Sequence, residues 1–158
     1  MAVENLAPPP LRSRLVDKTG LMTREFNNWL RGLTSAVNAS ATQSVQPIVL
    51  SDLSAALGTS VLLPFAPAGV YRLSYTVRIS QAATVSSSVT VRFHWFAGGL
   101  SQTFSAPALT TNSTTTPQSD AILVQVDPGT LISYSTLYDS VGATVMTYDL
   151  AVTCEALG

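Results

Sequence analysis

The stretch "GVYRLSYTVRIS", Gly69–Ser80, decides the fold class. Tyr71, Leu73, Tyr75, Val77 and Ile79 alternate with Arg72, Ser74, Thr76 and Arg78. A period of two over this length is what a β-strand with one buried and one wet face requires. On its C-terminal side "TVSSSVTVRFHWFAGG" continues the period through Val85, Val89, Val91, Phe93 and Trp95. It stops at Gly98-Gly99, a hairpin signal leading into "LSQTFSA". These three strands are expected to form a meander. "DAILVQVDPGTLISYSTLYD" supplies two more strands around Asp127-Pro128-Gly129, and "ATVMTYDLAVTCEAL" alternates Met146, Tyr148, Leu150, Val152 and Cys154 with polar or small residues. Short strands in "SVQPIVL" and "TSVLLPF" bring the count to about eight. Many short strands without a second helical pattern point to a mainly β jelly-roll sandwich over residues 44–158.

Ahead of that domain the pattern differs. Residues 1–22 form a proline-containing arm marked by Pro8, Pro9 and Pro10, for which an extended conformation is expected. Thr23 then offers an N-cap, Glu25 suits the first turn, and Phe26, Leu30, Leu33 and Val37 recur at helical spacing. One short amphipathic α-helix is predicted over 23–38, followed by a small-residue linker at 39–43. Its apolar face must bury itself against something.

Composition limits the function classes. The 158 residues carry a net charge of −1 with 11% charged side chains, and serine and threonine supply about a quarter of the chain. Such a chain lacks the basic footprint of a nucleic-acid binder or of a polybasic lipid patch. The low charge instead points to faces buried against copies of itself. The start has no secretory pattern, and no apolar run approaches a membrane span, so synthesis in a cytoplasm without membrane insertion is expected.

Candidate chemistry is sparse, and no catalytic, cofactor or metal site is expected. His94 is the sole histidine, read as a surface or interface residue; the alternative is three copies around an axis holding a metal or anion. Most of Asp52, Asp120, Asp127, Asp139, Asp149 and Glu155 lie beside turns or strand ends, and turn formation and solvation explain the set better than a glycosidase pair. Cys154 shares a face with Leu150 and Val152 and reads as a buried, inert thiol. "PALTTNSTTTPQS" is the longest polar loop, and Thr110, Thr111, Asn112 and Thr115 are its candidate receptor-facing residues.

Two resemblances are carried by particular residues. Gly69, Val70, Tyr71, Leu73, Tyr75 and Val77 resemble the strand motif of the tumour-necrosis-factor and C1q-like jelly-roll group. Gly129-Thr130 stands where that group has a Gly-Asp turn. This likeness, over residues 60–157, implies a homotrimer, with Tyr71, Leu73, Tyr75, Phe93, Trp95 and Tyr148 in core or trimer packing. Val16, Asp17, Gly20, Thr23, Phe26, Trp29 and Leu30 resemble the N-terminal modules of tailed-phage virion proteins. That likeness implies a virion component, made in the host bacterial cytoplasm and attached to tail, connector or capsid proteins through Val16, Asp17, Phe26, Trp29, Leu30 and Leu33. A tail-fibre or tail-attached protein is the leading expectation. A capsid decoration or head-fibre protein, and a module binding a host receptor or surface glycan, are the alternatives.

Overall fold

The computed structural model describes residues 26–28, 30, 31 and 44–157. The chain divides into two units, Met1–Thr42 and Gln43–Gly158. In the first, residues 26–28, 30 and 31 are helical, with Phe26 and Leu30 half-buried and Asn27, Asn28 and Arg31 exposed. The rest of the predicted 23–38 helix, the 1–22 arm and the 39–43 linker lie outside the described residues.

The described residues of the second unit form eight strands: β1 (Ser44–Leu53), β2 (Ser60–Ala66), β3 (Gly69–Gln81), β4 (Ser86–Ala97), β5 (Leu100–Ser105), β6 (Gln118–Val126), β7 (Thr130–Val141) and β8 (Thr147–Ala156). They form two four-stranded sheets in the orders β1-β8-β3-β6 and β2-β7-β4-β5. The pairs β1–β8, β2–β7, β3–β6 and β4–β5 are nested and antiparallel. The chain therefore behaves as one long hairpin, folded at Gly98-Gly99 and rolled so that successive pairs fall in alternate sheets. That is a jelly roll. Both turn glycines have positive φ, 61° and 74°, as a two-residue hairpin turn matching strand twist requires.

The expected β3–β4–β5 meander does not form. β3 pairs with β6 and β8, whereas β4 pairs with β5 and β7, so the β3–β4 connection crosses between sheets. Two amphipathic strands can bury facing apolar sides in opposite sheets as well as side by side, and their period is the same in both cases. Val85 is a second correction: it precedes β4 and is 65% exposed, and Ser87 begins the buried series instead. Ser87 Oγ accepts from the Ala83 backbone N–H at 2.9 Å, which ties the crossing turn and satisfies the buried hydroxyl.

The inward faces interdigitate as one core. Tyr71, Leu73, Tyr75, Val77 and Ile79 of β3 are all buried, as are Val89, Val91 and Phe93 of β4 and Tyr148, Leu150, Val152 and Cys154 of β8. The Tyr75 and Phe93 rings meet across the sheets at 6.3 Å, tilted by 57°. Each such fully buried side chain contributes about 1.5–3 kcal/mol of transfer free energy. Core tyrosines keep hydroxyl partners: Tyr71 donates to the Pro67 carbonyl at 3.0 Å, and Tyr138 donates to the Met146 carbonyl at 2.7 Å. Burial pushes the Cys154 thiol up to about 12, so it stays protonated and behaves as a small hydrophobe.

The turn from β6 into β7 is held by Asp127. Its Oδ1 accepts from the Gly98 N–H at 3.0 Å and its Oδ2 from the Gly99 N–H at 2.7 Å, while its own N–H donates to the Phe96 carbonyl at 2.9 Å. One carboxylate thus clamps the hairpin turn to the sheet-crossing turn. Asp127→Ala is expected to cost about 1–2 kcal/mol in urea unfolding, and Asp127→Asn, which keeps one acceptor, about half as much.

Candidate functional site

Among the described residues, β2 contains the one departure from period two that exposes a large aromatic side chain. Leu62, Leu63 and Ala66 are buried, but the intervening Pro64 and Phe65 both face solvent. Pro64 has no N–H to donate, and the β2–β7 register slips between Leu63 and Ala66. The slip is absorbed at Phe65, whose φ is +54° and whose side chain is 80% exposed. For a bulky residue that backbone region costs about 1–3 kcal/mol and persists only where the surroundings impose it.

Phe65 borders an open hollow of about 310 Å³, lined by Val61, Pro64, Phe96, Gly129, Thr130 and Leu131 as well. β2, the end of β4 and the start of β7 each contribute a wall. Among the described residues no ionisable side chain lines it, and the Thr130 hydroxyl proton is already committed, donating to the Asp127 carbonyl at 2.7 Å. The hollow is therefore suited to apolar groups.

Beside it, on the same outer face, the alternation of β4 places Arg92 and His94 in line with Phe96. His94 Nδ1 lies 3.1 Å from Thr103 Oγ1 and Nε2 lies 2.8 Å from Ser135 Oγ, so strands on both sides orient the imidazole. Arg92 Nε donates to Ser105 Oγ at 3.1 Å. Partial burial, then the neighbouring Arg92 charge, hold His94 below the ordinary histidine range. The unfolded chain then takes up the proton more readily than the fold does. The stabilisation from neutral His94 is complete above the ordinary histidine range and is lost as pH falls through it. The urea midpoint should fall between about pH 7 and about pH 5, and His94→Asn should flatten that segment.

Among the described residues the ion pairs are Arg72–Glu155 at 3.3 Å and Arg78–Asp149 at 2.6 Å, both on the outer face of the other sheet. The Arg78 hydrogen bond leads in holding the Asp149 carboxyl below the usual carboxylate range, and the Asp52 N–H adds to it at 3.1 Å. No group of three or more histidine, cysteine, aspartate or glutamate side chains among the described residues could hold a metal ion. None of the helices among them is long and apolar enough to cross a membrane.

The sequence candidates separate in space. Tyr71, Leu73, Tyr75, Phe93 and Tyr148 lie inside the sandwich core, and Trp95 is half-buried against it. Thr110, Asn112 and Thr115 are exposed and Thr111 is half-buried. Their loop is tied down: Asn112 Nδ2 donates to the Val85 carbonyl at 3.2 Å, and the Ser113 hydroxyl lies 3.0 Å from Thr115 Oγ1. Val85 precedes β4 and Phe96 closes it, so this loop and the hollow sit at opposite ends of the sandwich, on the order of 35 Å apart along the strand. Val16, Asp17, Trp29 and Leu33 lie outside the described residues. Phe65 and the hollow were not among the sequence candidates; the proline inside "VLLPF" is the signal that marks them.

No protein-family model matches the chain, and no curated protein matches it significantly. Similar solved structures include the CBM22-1–GH10 modules of Clostridium thermocellum endo-1,4-β-D-xylanase 10B complexed with xylohexaose, at 13% identity and TM-score 0.43, covering 75% of this chain and 26% of that one. Infectious bursal disease virus, Gx strain, aligns at 8% identity and TM-score 0.47, over 73% of this chain and 33% of that one. The C-terminal family 22 carbohydrate-binding module of the same xylanase aligns at 12% identity and TM-score 0.42, over 76% and 87%. The chain thus spans about a quarter and a third of the length of the first two.

Proposed function

We propose that this chain is a non-enzymatic structural protein of a tailed-phage virion, which works by assembly. In this reading three copies associate, residues 1–40 dock on the particle and the jelly roll is displayed outward. A tail-fibre or tail-attached position is favoured over capsid decoration, because the resemblance of residues 16–30 to virion-anchoring modules places an anchor ahead of the domain. The observation that carries assembly is Phe65. A fold that holds a bulky aromatic at φ +54° and 80% exposed is suited to a surface another protein covers. Sedimentation of the full chain should give a trimer mass. Particles made with a truncation lacking residues 1–40 should lack the protein, and normal copy number in them would refute docking through this segment.

A second reading is favoured by the row of Arg92, His94, Thr103 and Ser135 beside Phe96. Hydroxyls, a cation and an aromatic face in one line suit a surface saccharide of the host. An Arg92→Ala, His94→Ala double variant should then lose host-cell adsorption while keeping its oligomeric state; unchanged adsorption removes this reading.

A further inference from the structure

The hollow at Phe65 is too small for a globular partner. Phe65 at 80%, Val61 at 53%, Leu131 at 43% and Phe96 at 40% exposure present on the order of 400 Å² of apolar surface. A stable interface needs roughly 800 Å² from each partner. An open space of about 310 Å³ between two phenylalanines suits a narrow extended segment instead. That segment must also bring few polar groups. Among the described residues the lining has no ionisable side chain, and its one hydroxyl has given its proton to Asp127, leaving a single side-chain oxygen to accept. A sugar or an ordinary peptide would leave most of its polar groups unpaired there.

The chain contains a segment with the matching chemistry. "LAPPPL", residues 6–11, places three prolines between two leucines. Proline has no N–H to leave unsatisfied, and a proline run is already confined to the extended form that aromatic-lined grooves accept. Its reach is ample. The register Ser44↔Glu155, Tyr71↔Ala156, Gly69↔Val126 and Ala66↔Thr130 puts the start of β1 at the same end of the sandwich as the hollow. Residues 12–43 lie between the segment and β1; with ~1.5 Å for each of the helical residues and an upper limit of ~3.3 Å for each of the others, their reach is at most about 95 Å, roughly three times the width of a small domain.

We propose that the Leu6–Leu11 segment of one copy seats in the Phe65–Phe96 hollow of a neighbouring copy, so that exchanged arms hold the oligomer together. This rests on the self-assembly reading above and names the contact through which it occurs.

The test uses full-length chains, in which buried Cys154 leaves engineered thiols distinguishable. A tagged chain with Pro9→Cys and an untagged chain with Leu131→Cys are co-expressed and oxidised. The mixed disulfide should form at least 10-fold more than with Thr115→Cys, at the opposite end of the sandwich. Absence of that excess, or closure only within one chain carrying both cysteines, overturns the exchange. Independently, replacing Pro8, Pro9 and Pro10 by serine should weaken association at least 10-fold by sedimentation, while at dilutions where both proteins are monomeric the unfolding midpoint stays that of the wild type. An oligomer of unchanged strength in that variant refutes arm exchange and leaves self-assembly standing. A wild-type chain that stays monomeric at every concentration overturns both.

Discussion

Gly142→Ala is expected to destabilise the sandwich by about 3–5 kcal/mol, more than the same change at Gly58, Gly98, Gly99 or Gly129, where an added Cβ meets open space. Gly142 follows β7 with φ +126°, a conformation that L side chains rarely adopt. A Cβ there would lie 2.8 Å from Thr84 Cβ and 2.9 Å from the Val85 backbone nitrogen. Neither neighbour can easily retreat. The Val85 N–H donates to the Val141 carbonyl at 2.9 Å, and Thr84 Oγ1 accepts from the Thr144 N–H at 2.9 Å, so the two turns are already stapled together. Backbone strain and overpacking therefore add. Two controls separate them in urea unfolding. Gly98→Ala, at φ +61° with open space around it, should cost about 1 kcal/mol from the backbone alone. Gly58→Ala, with open space and no such φ, should lie within about 0.5 kcal/mol of wild type. A Gly142→Ala loss no larger than that of Gly98→Ala would show that the 84–85 turn yields.

The same turn explains why the strands were legible in the sequence and their arrangement was not. Period two follows from which side of a strand meets the core, so Tyr71 to Ile79 reveal β3 without reference to any neighbour. Which strand lies beside β3 depends on where residues 82–85 lead, and there the signal is a single serine bond, Ser87 to Ala83, with no periodic trace. The hollow was hidden for a related reason. "VLLPF" reads as an apolar strand, and apolar residues alone do not say which of them the proline turns outward. His94 could be placed on the outer face because it alternates with Phe93 and Trp95. Its partners Thr103 and Ser135 belong to β5 and β7, and only the pairing register brings them to it.

Tyr148→Phe is expected to cost about 2–3 kcal/mol although it removes one oxygen and no carbon. The Tyr148 ring lies at full burial in the core, 5.9 Å from that of Tyr138. Its hydroxyl donates to the Ala55 carbonyl at 3.0 Å and lies 2.7 Å from Thr136 Oγ1, which in turn accepts from the Leu57 N–H at 2.8 Å. The β1–β2 connection is thereby pinned to β8 in one sheet and to β7 in the other. Without the phenol oxygen, Ala55, which is exposed, can turn its carbonyl to water, but the Thr136 hydroxyl is buried and loses its acceptor. Thr136→Val should cost a similar amount. The double variant should cost less than the sum of the two by about 1 kcal/mol, because the second change removes a group the first had already orphaned. Strict additivity would mean that the network does not act as a unit. Alkaline titration gives an independent check. Burial leads in raising the Tyr148 phenol, against the Thr136 hydrogen bond, so the unfolded chain ionises first and the stability held below the ordinary tyrosine range, about 10, is lost as pH rises through the folded value. In Tyr148→Phe that part of the alkaline loss should vanish, and an unchanged alkaline slope would assign it to Tyr71, which burial also raises.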